Sequence, residues 1–395
     1  MKRLVLLSVL LLFAAVFVFS ADFGLLVDQQ IEAENDLFTY TPGFTPWFSW
    51  NNGRGLSLYL SGILSLKYSN YYGDLPGENG WMVIPEVARF ALNYRINQQL
   101  FLEAGRIGYT DVLDFTATGL FDGLRFESVT SAGRISVGAF YTGLLYKETA
   151  KIIMTTEDAA EYARPWDWNS FGEYAASKRL FAFLRWDIPV GDVNNFSVEV
   201  LGQFDLNGND ETHHSQYGTF LFDFYQVSKV KISVGGLFEA MQNTGDFGAA
   251  FGVLARLRME LPTAVNDMLG FTMKFSSGSV NKTLAGFTPI SCVPQGSVFD
   301  ETLSGLANIG ADYSVRVARS LFVEGALRYF IKTYNDDIIE GNLYGGEIWA
   351  SCAWQPLEDI RVILGGGLFL PGLGNVYPSG TDVMWKIIAG ITLSF

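Results

Sequence analysis

Charged side chains in this chain recur at every second position of otherwise apolar runs, which sorts them onto one face of an extended segment. FSVEVLGQFDL sets Glu199, Gln203 and Asp205 opposite Phe196, Val198, Val200 and Phe204. Residues 251–261 set Arg256, Arg258 and Glu260 opposite Phe251, Val253, Ala255, Leu257, Met259 and Leu261. In LSLYLSGILSLKY, Leu56, Leu58, Leu60, Leu64 and Leu66 oppose Ser57, Tyr59, Ser61, Ser65 and Lys67. In RSLFVEGALRY, Glu324 and Arg328 oppose Leu321, Val323 and Leu327. Charges in such rows can attract, repel or guide a solute. They do not form the converging nucleophile and base that catalysis needs, so no enzyme is expected.

The elements that must position these rows are strands. Eighteen alternating runs stand near 23–33, 44–51, 55–68, 84–95, 99–107, 122–130, 133–146, 178–188, 195–206, 217–227, 229–241, 248–261, 267–277, 304–317, 320–332, 342–354, 358–370 and 384–395. The first two are weak, so sixteen strands are also compatible with the pattern. Connections after the even-numbered runs are short: NNGR, INQQ, SAG, PVGDVNN, SK, PTAVN, ARS and QPLE. Those after the odd-numbered runs are mostly longer, notably 147–177, 278–303 and 333–341. Short turns alternating with long loops are the pattern of an up-and-down antiparallel barrel that crosses a membrane.

Alternation alone fits a soluble sandwich equally well. The N-terminus, MKRLVLLSVLLLFAAVFVFSA, reads as an export signal cleaved after Ala21, leaving one barrel domain over 22–395. Without Lys2 and Arg3 the net charge moves from −14 to −16. Aromatic residues make up 15% of the chain and charged ones only 17%, where about 25% charged is usual. No later apolar run reaches the roughly 18–20 residues of a transmembrane helix. An exported chain this apolar is accounted for if lipid covers one face of a closed sheet. A Lys or Arg facing the bilayer midplane costs about 2–4 kcal/mol, so the charged face must line the lumen.

That phase places Lys67, Arg89, Arg125, Arg134, Arg179, Arg185, Arg256, Arg258, Lys274, Arg316, Arg328 and Arg361 inside. Glu127, Asp187, Glu199, Asp205, Asp223, Glu239, Glu260, Asp312, Glu324 and Glu347 join them. The two signs nearly balance, and no ring of one sign stands out to set an ion preference. Most of these groups are expected to form cross-strand ion pairs or to face water. Barrels of roughly 16–18 strands leave an aqueous channel, so passive passage of small hydrophilic solutes, sugars or organic anions among them, is the expected role.

The chain ends on MWKIIAGITLSF, with Ala389, Ile391, Leu393 and the terminal Phe395 on one face. This ending resembles the C-terminal signature of bacterial outer-membrane β-barrel porins. The resemblance implies that the last strand closes on the first. It also implies that these four residues are read by the barrel-assembly machinery, with periplasmic chaperones escorting the chain to the outer-membrane lipid. Residues 103–127, EAGRIGYTDVLDFTATGLFDGLRFE, resemble a segment of carbohydrate-selective and alginate-export porins. That likeness implies a loop folded into the mouth, with Arg106, Asp111, Asp122 and Arg125 contacting the solute at a constriction. Arg106 falls on the lipid-facing parity of Leu100 and Leu102, so it needs a bulge or a place at the rim.

In the loop at 147–177, Thr155 or Thr156 is placed to cap a short helix, with Pro165 just past its end. PWDWNSF follows and gathers three aromatics, a possible stacking platform for sugars. His213 and His214 lie in NGNDETHHSQ, read as an extracellular loop. With Asp210 and Glu211 they could bind a metal, but adjacent side chains rarely converge on one ion. No metal, cofactor or nucleic acid is expected. Cys292 and Cys352 are too far apart in this topology to bridge, which makes Cys352 a small apolar residue. The inward faces are too charged for a lipid carrier. The competing expectation is a surface adhesin or receptor whose lumen is plugged by the loops 147–177 and 278–303.

Overall fold

The structure, a computed structural model, describes residues 21–71, 79–166, 171–208, 211–226, 229–280, 284–334 and 341–395. Apart from Ala21, the expected export signal lies outside the described residues, as do Trp168 and Asp210. Eighteen strands are present among the described residues. The first six are β1 (Ala21–Glu34), β2 (Leu37–Asn51), β3 (Leu56–Tyr71), β4 (Gly80–Arg95), β5 (Leu100–Thr110) and β6 (Thr118–Thr130). Next come β7 (Gly133–Tyr141), β8 (Arg179–Val190), β9 (Asn194–Asp205), β10 (His213–Gln226), β11 (Val230–Asn243) and β12 (Asp246–Glu260). The last are β13 (Asp267–Ser276), β14 (Leu306–Ala318), β15 (Leu321–Lys332), β16 (Leu343–Leu357), β17 (Ile360–Leu370) and β18 (Met384–Ser394).

Each strand pairs antiparallel with the next, and β1 pairs with β18 from Leu26↔Ser394 to Glu34↔Lys386, so the sheet closes. Phe395 takes part in the closure: its N–H donates to Leu25 O (2.9 Å), and its own carbonyl accepts from Leu25 N (3.0 Å). An unclosed edge would expose a row of unpaired backbone groups. The first two runs are full strands. They read weakly because Pro42 and Pro46 interrupt β2, whose ladder to β3 skips Thr41–Pro42 and Thr45–Pro46. One expectation needs correction: His213 and His214 open β10 instead of lying in a loop. On the side where connections are mostly longer, β1 joins β2 through Asn35–Asp36 and β11 joins β12 through Thr244–Gly245, both tight turns.

The barrel is apolar outside. On β8, Leu180, Leu184 and Trp186 are 38%, 52% and 42% exposed, while the alternating Arg179, Phe181 and Phe183 are 0%, 0% and 4% exposed. Leu60 and Leu64 of the β3 leucine row are exposed as well.

One stretch of wall lacks its ladder. β4 and β5 pair only from Phe90↔Arg106 to Arg95↔Phe101, although β4 continues up to Gly80 and β5 to Thr110. The divergence follows from the residues. Pro85 has no N–H to give a neighbour, and Gly105 takes φ +117° against the Phe90 carbonyl, where a Cβ would collide. Gly105→Val is therefore expected to destabilise the barrel by about 1–3 kcal/mol. Urea unfolding in detergent, compared with Gly218→Val, where a Cβ meets open space, would measure it. Equal loss in the two variants would show that the strand backbone at Gly105 is not under constraint.

Candidate functional site

The loop between β5 and β6, residues 111–117, turns into the lumen around a carboxylate. Asp111 is buried and accepts N–H bonds from Leu113 (3.1 Å), Phe115 (3.1 Å), Thr116 (2.7 Å) and Ala117 (2.9 Å). Burial pushes its carboxyl above the usual range, against the pull of those four donors. The loop reaches the opposite wall because glycines there leave room for it. A Cβ on Gly235 of β11 would sit 2.5 Å from Leu113, and one on Gly252 of β12 would sit 3.2 Å from the Phe115 ring. Lys274 of β13 places its ammonium 5.4 Å from the centre of the same ring.

On one side of this crossing the lumen is packed. Phe121, Phe140, Phe181, Phe183, Leu201, Leu237 and Leu254 from the wall form one buried cluster with Val112, Leu113 and Phe115. Phe287, Ile290 and Leu303 from the β13–β14 connection join it, as do Leu145, Ile152 and Met154 from the β7–β8 connection. Tyr109 and Phe183 meet at a 40° tilt with centroids 4.5 Å apart, and Phe121 meets Phe181 edge-on at 4.9 Å. The expectation of inward faces too charged for an apolar patch is thus wrong for β6–β9. Both faces of Leu180–Leu184 are apolar, a near-continuous run that signals burial on two sides.

Wall carboxylates hold the loops down by accepting their backbone N–H groups. Glu239 accepts from Thr288 N (3.0 Å). Glu347 accepts from Ser297 (2.9 Å), Val298 (2.9 Å) and Phe299 (2.9 Å) and pairs with Arg328 (2.6 Å). The helix Thr156–Ala163 is anchored differently. Thr155 caps it, and Asp158 closes the capping box while meeting Arg179 (2.5 Å), which also holds Asp205 (2.6 Å). Helix and cap thus form where the sequence pattern places them.

The four constriction candidates do not come together. Arg106 and Asp122 bind each other through two hydrogen bonds (2.9 and 2.8 Å) on the outer-facing parity, at the edge of the gap between β4 and β5. Arg106 also donates to Val87 O (2.5 Å) and Leu144 O (3.0 Å), so it staples the wall instead of facing the channel. Asp111 is the buried key of the crossing loop. Arg125 pairs with Glu103 (2.5 Å) and Glu127 (3.3 Å) in a cavity of about 720 Å³ at the short-turn end, beside Arg54 and Arg95.

The group that the loop does expose is Asp114, held at φ 61° with Thr118 Oγ1 donating to it (2.6 Å). It lies within electrostatic reach of Lys274 and Arg256, a reach it shares with Asp111 at Lys274 and with Asp223 and Asp312 at Arg256. The only signal for it was a second acid in the apolar stretch DVLDF, at a residue type that tolerates the left-handed region.

Other lumen candidates keep their inward parity. Lys67 pairs with Glu148 (2.9 Å), Arg89 with Glu103 (3.8 Å) and Lys231 with Asp223 (2.9 Å), while Glu324 accepts from Ser351 (3.2 Å). Glu199, Asp205 and Arg179 lie buried under the loops instead of facing water. Arg256, Arg258 and Lys274 have no carboxylate within ion-pair distance among the described residues. His213 is buried against Asn243 on the inner wall. No cluster of three metal-ligating side chains occurs among the described residues. Burial pushes the Cys292 thiol up to about 11, so it is no nucleophile at neutral pH.

Fold and site together define an up-and-down barrel whose lumen is crossed and partly filled by its own loops. The chain matches no protein-family model and no curated protein. Solved structures match along nearly the whole chain. OccK5 (OpdH) of Pseudomonas aeruginosa superposes with a TM-score of 0.64 at 10% identity, over 96% of this chain and 99% of that one. OpdK of the same organism, solved with vanillate, gives 0.63 at 10% identity over 95% and 98%. OprD gives 0.58 at 12% identity over 96% of both chains. At these identities the shared property is the fold.

Proposed function

We propose that the protein is an outer-membrane porin, a passive channel for small hydrophilic solutes with a preference for small organic anions. The observation that carries this is the row Arg256, Arg258 and Lys274 on β12 and β13, unpaired with any described carboxylate and facing the exposed tip of the loop that crosses the lumen. With Lys231 the row makes four cations against Asp114, Asp223 and Asp312, a small positive surplus that favours a carboxylate over an amine in transit. The apolar exterior supports a bilayer location, since a soluble monomer rarely shows so large a continuous greasy surface. The likeness to OprD and OpdK supports the same reading, and OpdK has been solved with vanillate.

The test is single-channel recording of the refolded chain in a planar bilayer, with reversal potentials for chloride, acetate and vanillate. An anion preference is expected, and Arg256→Glu combined with Lys274→Glu should lower the anion-over-cation permeability ratio several-fold. An unchanged ratio would remove these residues from the pathway.

The packed half of the lumen favours a second reading, a receptor barrel whose loops plug it. That reading requires a folded barrel with no conductance at all, so the same recording separates the two.

A further inference from the structure

Above Phe90 and Arg106, where β4 and β5 have no ladder, the gap in the wall holds a cavity of about 200 Å³. Much of its polar lining is paired from within. Thr149 Oγ1 donates to Glu86 (3.1 Å), and Thr118 Oγ1 donates to Asp114 (2.6 Å). Arg106 commits Nε, Nη1 and Nη2 to Asp122, Val87 O and Leu144 O. The apolar part of the lining is Leu120, Phe121, Leu145 and Ala150. These residues offer a buried water none of the two to four polar partners it needs. A charged headgroup would find one open donor, the second Nη1 hydrogen of Arg106, since the other four guanidinium N–H groups are engaged.

The cavity is continuous with the apolar exterior. Leu120 and Val87 lie exposed on the outer parity, and Leu144 beside Arg106 is exposed too, whereas Leu145 behind them is buried. We propose that this seam is a lipid site, which takes the end of one acyl chain from a neighbouring bilayer lipid and seals the wall where hydrogen bonding stops. The proposal rests on the membrane reading above. It assigns the segment 142–150 a second role, as the inner lining of that site, held to β4 by Thr149 on Glu86 and, through the Tyr146 ring, by Tyr174, whose OH donates to Pro85 O (2.6 Å).

The experiment is photolabelling of the full chain, refolded into phosphatidylcholine vesicles that carry a diazirine at the acyl terminus, with adducts mapped by mass spectrometry. Adducts on Leu145 and Ala150 are expected, together with ordinary outer-face adducts on Leu364 and Leu368. Ala150→Phe, which fills the cavity, should abolish the Leu145 adduct and leave Leu364 and Leu368 unchanged. Leu120→Trp, a change at the exposed mouth, should do the same without touching the interior. Adducts on Leu120, Leu364 and Leu368 with none on Leu145 would overturn the lipid site while leaving the membrane reading in place. So would a Leu145 adduct that survives both substitutions. Absence of adducts at Leu364 and Leu368 as well would overturn the membrane reading itself.

Discussion

Arg179→Leu should cost about 3–5 kcal/mol and lower the yield of folded barrel. The guanidinium is wholly buried, and it alone separates Asp158 on the loop helix (2.5 Å) from Asp205 on β9 (2.6 Å). Leucine would leave two carboxylates enclosed together with no counter-charge. Urea unfolding in detergent, followed by tryptophan fluorescence, gives the magnitude. The contrast is Arg185→Leu on the same strand, six residues on and on the same face, where the partner is Asp187 at 3.0 Å and both side chains are partly exposed. An exposed pair of that kind contributes about 0–1 kcal/mol, so Arg185→Leu should be nearly neutral. Adding Asp158→Asn and Asp205→Asn to Arg179→Leu should recover part of the loss, because the cost lies in the orphaned charges. Equal effects of Arg179→Leu and Arg185→Leu would show that the triad carries no special weight.

Arg179 also shows where sequence reading stops. Its parity was legible: the strand repeat places it on the face of Phe181, Phe183 and Arg185, and that face is inward. Its partner was not. Asp158 lies in a connection, and an acid at the third position of a helix reads as ordinary capping whether or not an arginine awaits it. The barrel was legible for a related reason. Closure, register and face follow from a repeat of two, and eighteen strands carry that repeat many times over. The inward folding of the loops was not. A carboxylate on the lumen face has the same sequence whether it meets water or a backbone N–H, and every residue but proline supplies that N–H. Glu199, Glu239 and Glu347 were correctly phased, and nothing in their neighbourhood said that loops would cover them. The seam was half visible, since Pro85 and the parity of Arg106 both signalled a broken wall without saying what fills it.

Glu347→Ala should change the channel itself. This carboxylate, fully buried at its side chain, is the acceptor for three successive N–H groups at Ser297, Val298 and Phe299, and it anchors Arg328. Hydrogen bonds to a charged group contribute about 1.5–3 kcal/mol each, so alanine removes the main polar attachment of this segment and leaves three donors unpaired. The remaining hold is apolar: Phe299 packs on Phe330 (4.3 Å) and Phe369 (4.7 Å), with Tyr344 at 5.2 Å. That stack keeps the barrel folded while the polypeptide on either side of it loosens. The expected outcome in single-channel recordings is a noisier current with a larger mean conductance, at unchanged thermal stability of the barrel. Glu347→Gln keeps one acceptor oxygen and should fall between alanine and the native residue. Phe299→Ala, which removes the stack but not the carboxylate, should weaken the segment without freeing it. Native conductance and native noise in Glu347→Ala would mean that residues 297–299 do not border the path of ions, and the width of the passage would then rest on the Asp111 loop alone.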